Sequence, residues 1–262
     1  MTLPLHTLRA GDGLPLVLLH AFPVDSSMWA EVAAAVDLPV LAPDLPGMGA
    51  AASVALPEPS IEASADAVAE ALHAAGLDRV VVAGLSMGGY VALALAERHP
   101  DLVAGLGLLD TKSVADAPEA RANRLRVATT VEDTGTVDEV LPMASALLGP
   151  TTRRRDPPGA DRVAGWILAQ APAGVAWSQR AMAARPDRTA VLVDLAARGV
   201  PALVLVGDED VATPPAQAQH MADALGVTPV VVPGAGHLTA VEAPAPVATA
   251  LADLVARAAA RG

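Results

Sequence analysis

The sequence predicts an α/β fold: a mostly parallel central sheet with helices on both faces, and a helical segment inserted between two of its strands. Two observations predict it. Short apolar runs, five of the six closed by Gly, Pro or Asp, alternate with Ala-rich stretches of helical length. Between about Ser113 and Gly199 the strand-like runs vanish and only helical stretches remain, punctuated by Pro142, Gly149-Pro150, Pro157-Pro158, Pro172 and Pro186. The expected organisation is therefore a core over 1–112, a helical cap or lid over 113–199, and the rest of the core over 200–262.

Taken in chain order, the strands are expected at Leu14–Leu19, Leu38–Ala42, Val80–Ala83, Val103–Leu109, Ala202–Val206 and Thr228–Val232, all reading as buried. His6 falls in a further N-terminal strand. Helices are expected at Ile61–Ala75, Tyr90–Arg98, Ala216–Leu225 and Pro246–Ala259. Pro100 ends one of them, and Gly76 and Gly226 stand just past the ends of two others.

Composition narrows the function classes. At 262 residues the chain can bury a sizeable core. A net charge of −12 repels phosphate backbones and anionic lipid, and 2% aromatics is too few for a base-stacking platform. Nucleic acid and membrane are thus not expected partners. The absence of cysteine excludes disulfides, thiolate catalysis and Cys-ligated zinc. Lys112 is the only lysine, and nothing around it supports Schiff-base chemistry. No apolar run approaches about 18 residues, and Met1 to Gly13 lacks a signal layout, so the expected location is cytoplasmic.

Gly84-Leu85-Ser86-Met87-Gly88-Gly89 follows one strand and opens a helix, the context a G-x-S-x-G nucleophile elbow requires. Such a turn strains the serine backbone and crowds its neighbours, so the positions two residues away on each side must lack a Cβ. It also leaves the Met87 N–H free at a helix N-terminus. A serine nucleophile needs a base. Among six histidines, His237 stands in the Gly-rich loop Pro233–Gly236 after the last strand, which brings it to the same sheet edge. His73 and His99 lie near the ends of expected helices, and His220 in the middle of one. The base needs an orienting carboxylate, and Gly207-Asp208-Glu209-Asp210 offers a choice at a strand end. Asp210 lies furthest along the turn and is the first candidate; Asp208, which suits a turn cap, and Asp110, at the end of the preceding sheet strand, compete. His20-Ala21-Phe22-Pro23 follows the first strong strand, so the Phe22 N–H can pair with that of Met87 as an oxyanion hole. His20 reads as a loop brace, and Asp44 as the holder of a Pro-Gly turn.

These motifs, together with Asp44-Leu45-Pro46-Gly47-Met48-Gly49 and the Glu242 and Pro244 that follow His237, resemble the α/β-hydrolase fold superfamily across nearly the whole chain. They are most similar to small lidded carboxylesterases and enol-lactonase-like hydrolases. The resemblance implies a cofactor-free, metal-free serine hydrolase with Ser86, Asp210 and His237 as catalytic triad and Phe22 and Met87 as oxyanion donors. Its substrate would be a small to medium apolar ester or lactone, and the chain a monomer or homodimer. Ala21 stands where the family usually has Gly, and Met48 where it has His. The N-terminus leaves room for fewer leading strands than the family has. Ser86 excludes the aspartate nucleophile of dehalogenases and epoxide hydrolases of this fold. A carbon–carbon bond hydrolase using the same triad, and a non-catalytic ligand-binding member, are the alternatives.

Trp29, Tyr90, Met143, Trp166, Trp177 and Met182 are candidate pocket residues. None of the five aromatics falls in an expected sheet strand, so several are expected to line or border the site. Arg153-Arg154-Arg155 reads as a solvated run between lid helices.

Overall fold

The computed structural model describes residues 3–261, and among them seven strands form one sheet. They are β1 (Leu5–Arg9), β2 (Leu16–Leu19), β3 (Val40–Pro43), β4 (Val80–Leu85), β5 (Val103–Leu109), β6 (Ala202–Gly207) and β7 (Val230–Val232). The order across the sheet is β1-β3-β2-β4-β5-β6-β7, parallel throughout except for β1, which runs antiparallel to β3 at the edge. Every residue of β2, β4, β5 and β6 is buried. Strands covered on both faces explain why the sequence shows apolar runs rather than alternation.

Twelve α-helices among the described residues accompany the sheet. Before and beside the first strands come α1 (Ala30–Ala35), α2 (Ile61–Ala74) and α3 (Met87–Arg98). Between β5 and β6 lie α4 (Pro118–Thr134), α5 (Met143–Ala146), α6 (Pro150–Arg155), α7 (Gly159–Leu168), α8 (Pro172–Ala184) and α9 (Thr189–Ala197). The C-terminal part adds α10 (Pro215–Leu225), α11 (Thr239–Glu242) and α12 (Pro244–Ala259). Helices α1 and α12 cover one face; α2, α3, α9 and α10 form the layer on the other. Of the six helices between β5 and β6, α4 packs on α8, and α7 on α5 and α6, whereas α9 packs on α3 and α10. By its packing α9 is thus the crossover helix that returns the chain to the sheet, and the helices that stand apart from the sheet layers are α4 to α8.

The prolines that punctuate this insertion open helices rather than merely separate them. Pro150 and Pro172 occupy the first turn of α6 and α8, where a missing N–H costs nothing. Ser60 caps α2 by accepting the Ala63 N–H at 3.0 Å, and Gly226 ends α10 in the left-handed region at φ 68°.

Two expectations from the sequence are corrected. The last strand is shorter than Thr228–Val232, and it is an edge: Val230 and Val231 are exposed and only Val232 is buried. An apolar run reports β propensity, not which side of a sheet it ends on. Helix α3 begins at Met87 rather than Tyr90, because its first turn is made of the elbow glycines, which carry no helical signal of their own. Among the described residues no helix is long and apolar enough to cross a membrane.

From β2 the chain passes outward to β3 on one side; from β4 onward it builds on the other. The topological switch point therefore lies between the C-terminal ends of β2 and β4, the crevice where open α/β sheets bind ligands.

Candidate active site

Ser86 stands at that switch point with φ 54° and ψ −112°, one of two non-glycine residues with positive φ among those described. Strain of this kind costs about 1–3 kcal/mol and persists only where the surroundings enforce it. Here the Ser86 N–H donates to the Leu109 carbonyl at 3.0 Å, and the Thr111 hydroxyl donates to the Ser86 carbonyl at 2.8 Å, so the end of β5 and the residue two beyond it hold Ser86 on both sides. The flanking glycines are required by contact. A Cβ on Gly84 would lie 2.1 Å from the Gly88 backbone, and one on Gly88 would lie 2.1 Å from the Leu19 carbonyl oxygen.

The His237 Nε2 is 2.8 Å from Ser86 Oγ, and its Nδ1 is 2.9 Å from Asp210 Oδ2. His237 and Asp210 are buried, while Ser86 is partly exposed. Burial raises the Asp210 carboxyl, but the His237 hydrogen bond and charge, and the Thr213 N–H and hydroxyl, outweigh it and hold the group below its usual value. Its Oδ1 accepts the N–H groups of Ala212 (2.8 Å) and Thr213 (3.0 Å), and its Oδ2 accepts the Thr213 hydroxyl (2.8 Å). A charged carboxylate so satisfied presents a fixed acceptor to the imidazole. Thr213 was visible in the sequence only as part of the Thr-Pro-Pro turn; its spacing of three from Asp210 is the signal for this local cap.

The competing acids are engaged elsewhere. Asp208 Oδ1 accepts the Gly234 N–H at 2.7 Å and ties two loops together. Asp110 is wholly buried; it accepts the Gly207 N–H at 2.9 Å and contacts the Thr239 hydroxyl and N–H.

Beside the serine, the β2–loop junction approaches the start of α3 so closely that Gly88 abuts the Leu19 and His20 carbonyls. The N–H groups of Phe22 and Met87 make no hydrogen bond among the described residues. The loop that carries Phe22 is braced by His20, fully buried, whose Nδ1 donates to the Ala21 carbonyl and whose Nε2 accepts the Leu45 N–H, each at 2.9 Å. Burial lowers the His20 pKa, which suits the neutral ring this bonding pattern needs. Asp44 reaches further than its own turn. It accepts the N–H groups of Ser26 and Ala50 and pairs with His6.

The six candidate pocket residues come from several elements of the fold. Trp29 is fully buried, with no partner for its Nε1 among the described residues. Tyr90 donates its backbone N–H to the Ser86 carbonyl, and its ring lies 3.9 Å beneath the Arg185 guanidinium. Trp177 donates to the Pro57 carbonyl, and the Met182 sulfur accepts from Arg124. Met143 and Trp166 are half-buried on α5 and α7. The arginine run is less free than it reads: Arg155 donates to the Glu242 carbonyl and Arg154 to the Thr151 hydroxyl.

The fold and this geometry define a class: an α/β protein with a hydrogen-bonded Ser–His–Asp relay on a nucleophile-elbow turn at the sheet's switch point. The model of the alpha/beta hydrolase family matches residues 16–250, and the chain belongs to that family. Among solved structures, a thermophilic esterase from Thermogutta terrifontis with malate bound is 37% identical, with a TM-score of 0.89 over 98% of this chain and 94% of that one. The enol-lactonase from Burkholderia xenovorans LB400 is 27% identical, with a TM-score of 0.81 over 97% and 95% of the two chains. Lipase LipV of Mycobacterium tuberculosis is 36% identical over 124 residues, 46% of this chain and 47% of that protein. The chain thus spans about half or less of the length of the curated relatives it matches.

Proposed function

We propose that this chain is a serine hydrolase that cleaves small to medium carboxylic esters or lactones through an acyl-enzyme on Ser86. One observation carries the reading: the strained Ser86 hydroxyl is 2.8 Å from an imidazole whose other nitrogen is 2.9 Å from a buried, charge-stabilised carboxylate. In this reading His237 Nε2 takes the Ser86 proton as the oxygen attacks the substrate carbonyl. The tetrahedral oxyanion forms against the Phe22 and Met87 N–H groups, which have no competing partner among the described residues. His237 returns the proton to the leaving oxygen; water, deprotonated by the same nitrogen, then releases the acid. The likeness to an esterase and an enol-lactonase along almost the whole chain supports the substrate class. The helices α4 to α8 are proposed as the lid, with Trp29, Tyr90, Met143, Trp166, Trp177 and Met182 as candidates for the pocket wall. A soluble, cytoplasmic monomer or homodimer acting without cofactor or metal completes the proposal.

The test is fluorophosphonate labelling with ester turnover. Wild type is expected to label and Ser86→Ala to lose both signals; unlabelled wild type, or an equally fast Ser86→Ala, sinks the mechanism. Asp210→Asn is expected to lower kcat by on the order of 10³–10⁴-fold, since a neutral amide cannot hold the required tautomer. Asp208→Asn should stay close to wild type. Turnover of β-diketones in preference to aryl esters would move the assignment to carbon–carbon bond hydrolysis.

A further inference from the structure

We propose that Glu242 is a positioning residue for His237, and that residues 147–151 of the helical insertion are built into the same scaffold. The proposal rests on the reading of His237 as the catalytic base. Glu242 is buried, at 5% exposure, in the short helix α11. Its Oε2 accepts the N–H groups of Gly236 (2.9 Å) and Gly149 (2.8 Å), and its Oε1 accepts the Leu238 N–H (3.0 Å). Gly236 and Leu238 are the two neighbours of His237. The N–H of His237 itself donates to the Leu147 carbonyl at 2.8 Å. All three consecutive N–H groups around the base are therefore fixed, the outer two by one carboxylate and the middle one by the insertion.

The backbones are in contact as well as hydrogen-bonded. A Cβ on Gly236 would lie 2.3 Å from the Gly149 nitrogen, and one on Gly149 would lie 2.5 Å from Glu209 Oε2. Glu209, next to Asp210, holds the same strap from the other side by accepting the Thr151 N–H at 2.8 Å and its hydroxyl at 2.5 Å. Arg155 then donates to the Glu242 carbonyl at 2.7 Å. The loops that carry the acid and the base, and the strap that enters α6, thus form one unit with Glu242 at its centre. Because a misplacement of about 1 Å can cost on the order of 100-fold in rate, a group that fixes both flanks of the base acts on kcat.

The chemistry at Glu242 requires an acceptor on both oxygens. Glu242→Gln keeps the shape but puts an NH₂ against one set of N–H donors. The amide oxygen favours the side with two donors, so the Leu238 N–H is the one left facing NH₂. Asp66→Asn makes the same carboxylate-to-amide change in an exposed pair with Arg98, outside this unit, which makes it the control.

The experiment measures p-nitrophenyl acetate turnover and fluorophosphonate labelling rates for wild type, Ser86→Ala, Glu242→Gln and Asp66→Asn. Ser86→Ala is normalised by protein concentration and the others by active-site titration, and each is paired with a melting curve. Glu242→Gln is expected to lose about ten-fold or more in kcat and in labelling rate with KM within about two-fold, while Asp66→Asn keeps kcat within about three-fold. If Glu242→Gln does not fold, Glu242→Asp, which keeps both acceptors and shortens the reach by one methylene, is expected to show the same split. The proposal is overturned if titrated Glu242 variants turn over like wild type, if their loss is in KM, or if Asp66→Asn loses as much kcat. Wild type that labels and turns over while Ser86→Ala does not keeps the hydrolase reading in place in all those cases. Wild type that does neither overturns both.

Discussion

At the scale of single residues, the two acids at the ends of β5 and β6 show how environment separates like groups. Asp110 and Asp210 both end buried strands, and the sequence offers no reason to prefer one beyond position along a turn. In the structure they shift in opposite directions. Burial, and then the Asp210 charge, push Asp110 well above the usual carboxylate range, against the hydrogen bonds from Thr239 and Gly207; the imidazole and Thr213 hold Asp210 down. At Asp110 an amide can keep its oxygen on the Gly207 N–H and donate its NH₂ to the Thr239 hydroxyl, which can accept, whereas a carboxyl that must stay charged has no such mimic. Asp110→Asn is therefore expected to keep kcat within about three-fold, against the collapse expected for Asp210→Asn. The pH dependence of stability carries the same sign. As pH rises above about 4 the unfolded Asp110 loses its proton before the folded one does, so this group makes stability fall as pH rises towards the raised folded value. Denaturant titrations at pH 5 and pH 7 should show that fall reduced in Asp110→Asn; an unchanged pH dependence refutes the protonated reading.

At the scale of elements, the sequence was most legible where a local rule has a steric cause. The elbow, the Gly-rich His237 loop and the buried strands β2, β4, β5 and β6 follow from glycine spacing and apolar runs, which depend on near neighbours alone. The exposure of β7, the crossover role of α9 and the partners of Glu242 were not legible, because they depend on what lies across the fold: Gly149 and Glu242 are 93 residues apart. Two glycines in helices make the point testable. Gly88 in α3 faces the Leu19 carbonyl with no room for a methyl group, whereas a methyl group on Gly165 in α7 would meet nothing within 4 Å beyond its own helix. Gly88→Ala is expected to give little folded protein. Gly165→Ala is expected to raise stability by about 0.5–1 kcal/mol, the helix preference of alanine over glycine. Paired melting curves decide it, and a Gly88→Ala protein as stable as wild type would contradict the contact.

At the scale of the whole molecule, the question is what joins the inserted helices to the core. Gly174 of α8 sits so close to Gly47 that a Cβ would meet the Gly47 carbonyl oxygen at 1.8 Å, and Gln170 bridges Asp25 and the Gly49 N–H. The most heavily charged joint is Asp116, whose side chain is 2% exposed. It pairs with Lys112 at 2.9 Å, Arg124 at 2.6 Å and Arg185 at 2.9 Å, linking the end of β5, α4 and the end of α8. Burial works against the Asp116 charge, yet these cations hold its carboxyl far below the usual range. Its stabilisation is therefore present above about pH 4 and is lost only as pH falls through that depressed value. Asp116→Asn removes the one negative charge among three cations, and Arg185, itself 2% exposed, cannot turn to water. The expected loss is about 3–5 kcal/mol, the cost of leaving buried charge uncompensated. Asp66→Asn provides the contrast. Its pair with Arg98 is more than two-fifths exposed on both sides, and solvent screening limits the loss to about 1 kcal/mol or less. Urea denaturation of both variants at neutral pH measures the difference, and equal losses would show that Asp116 does not join the insertion to the core.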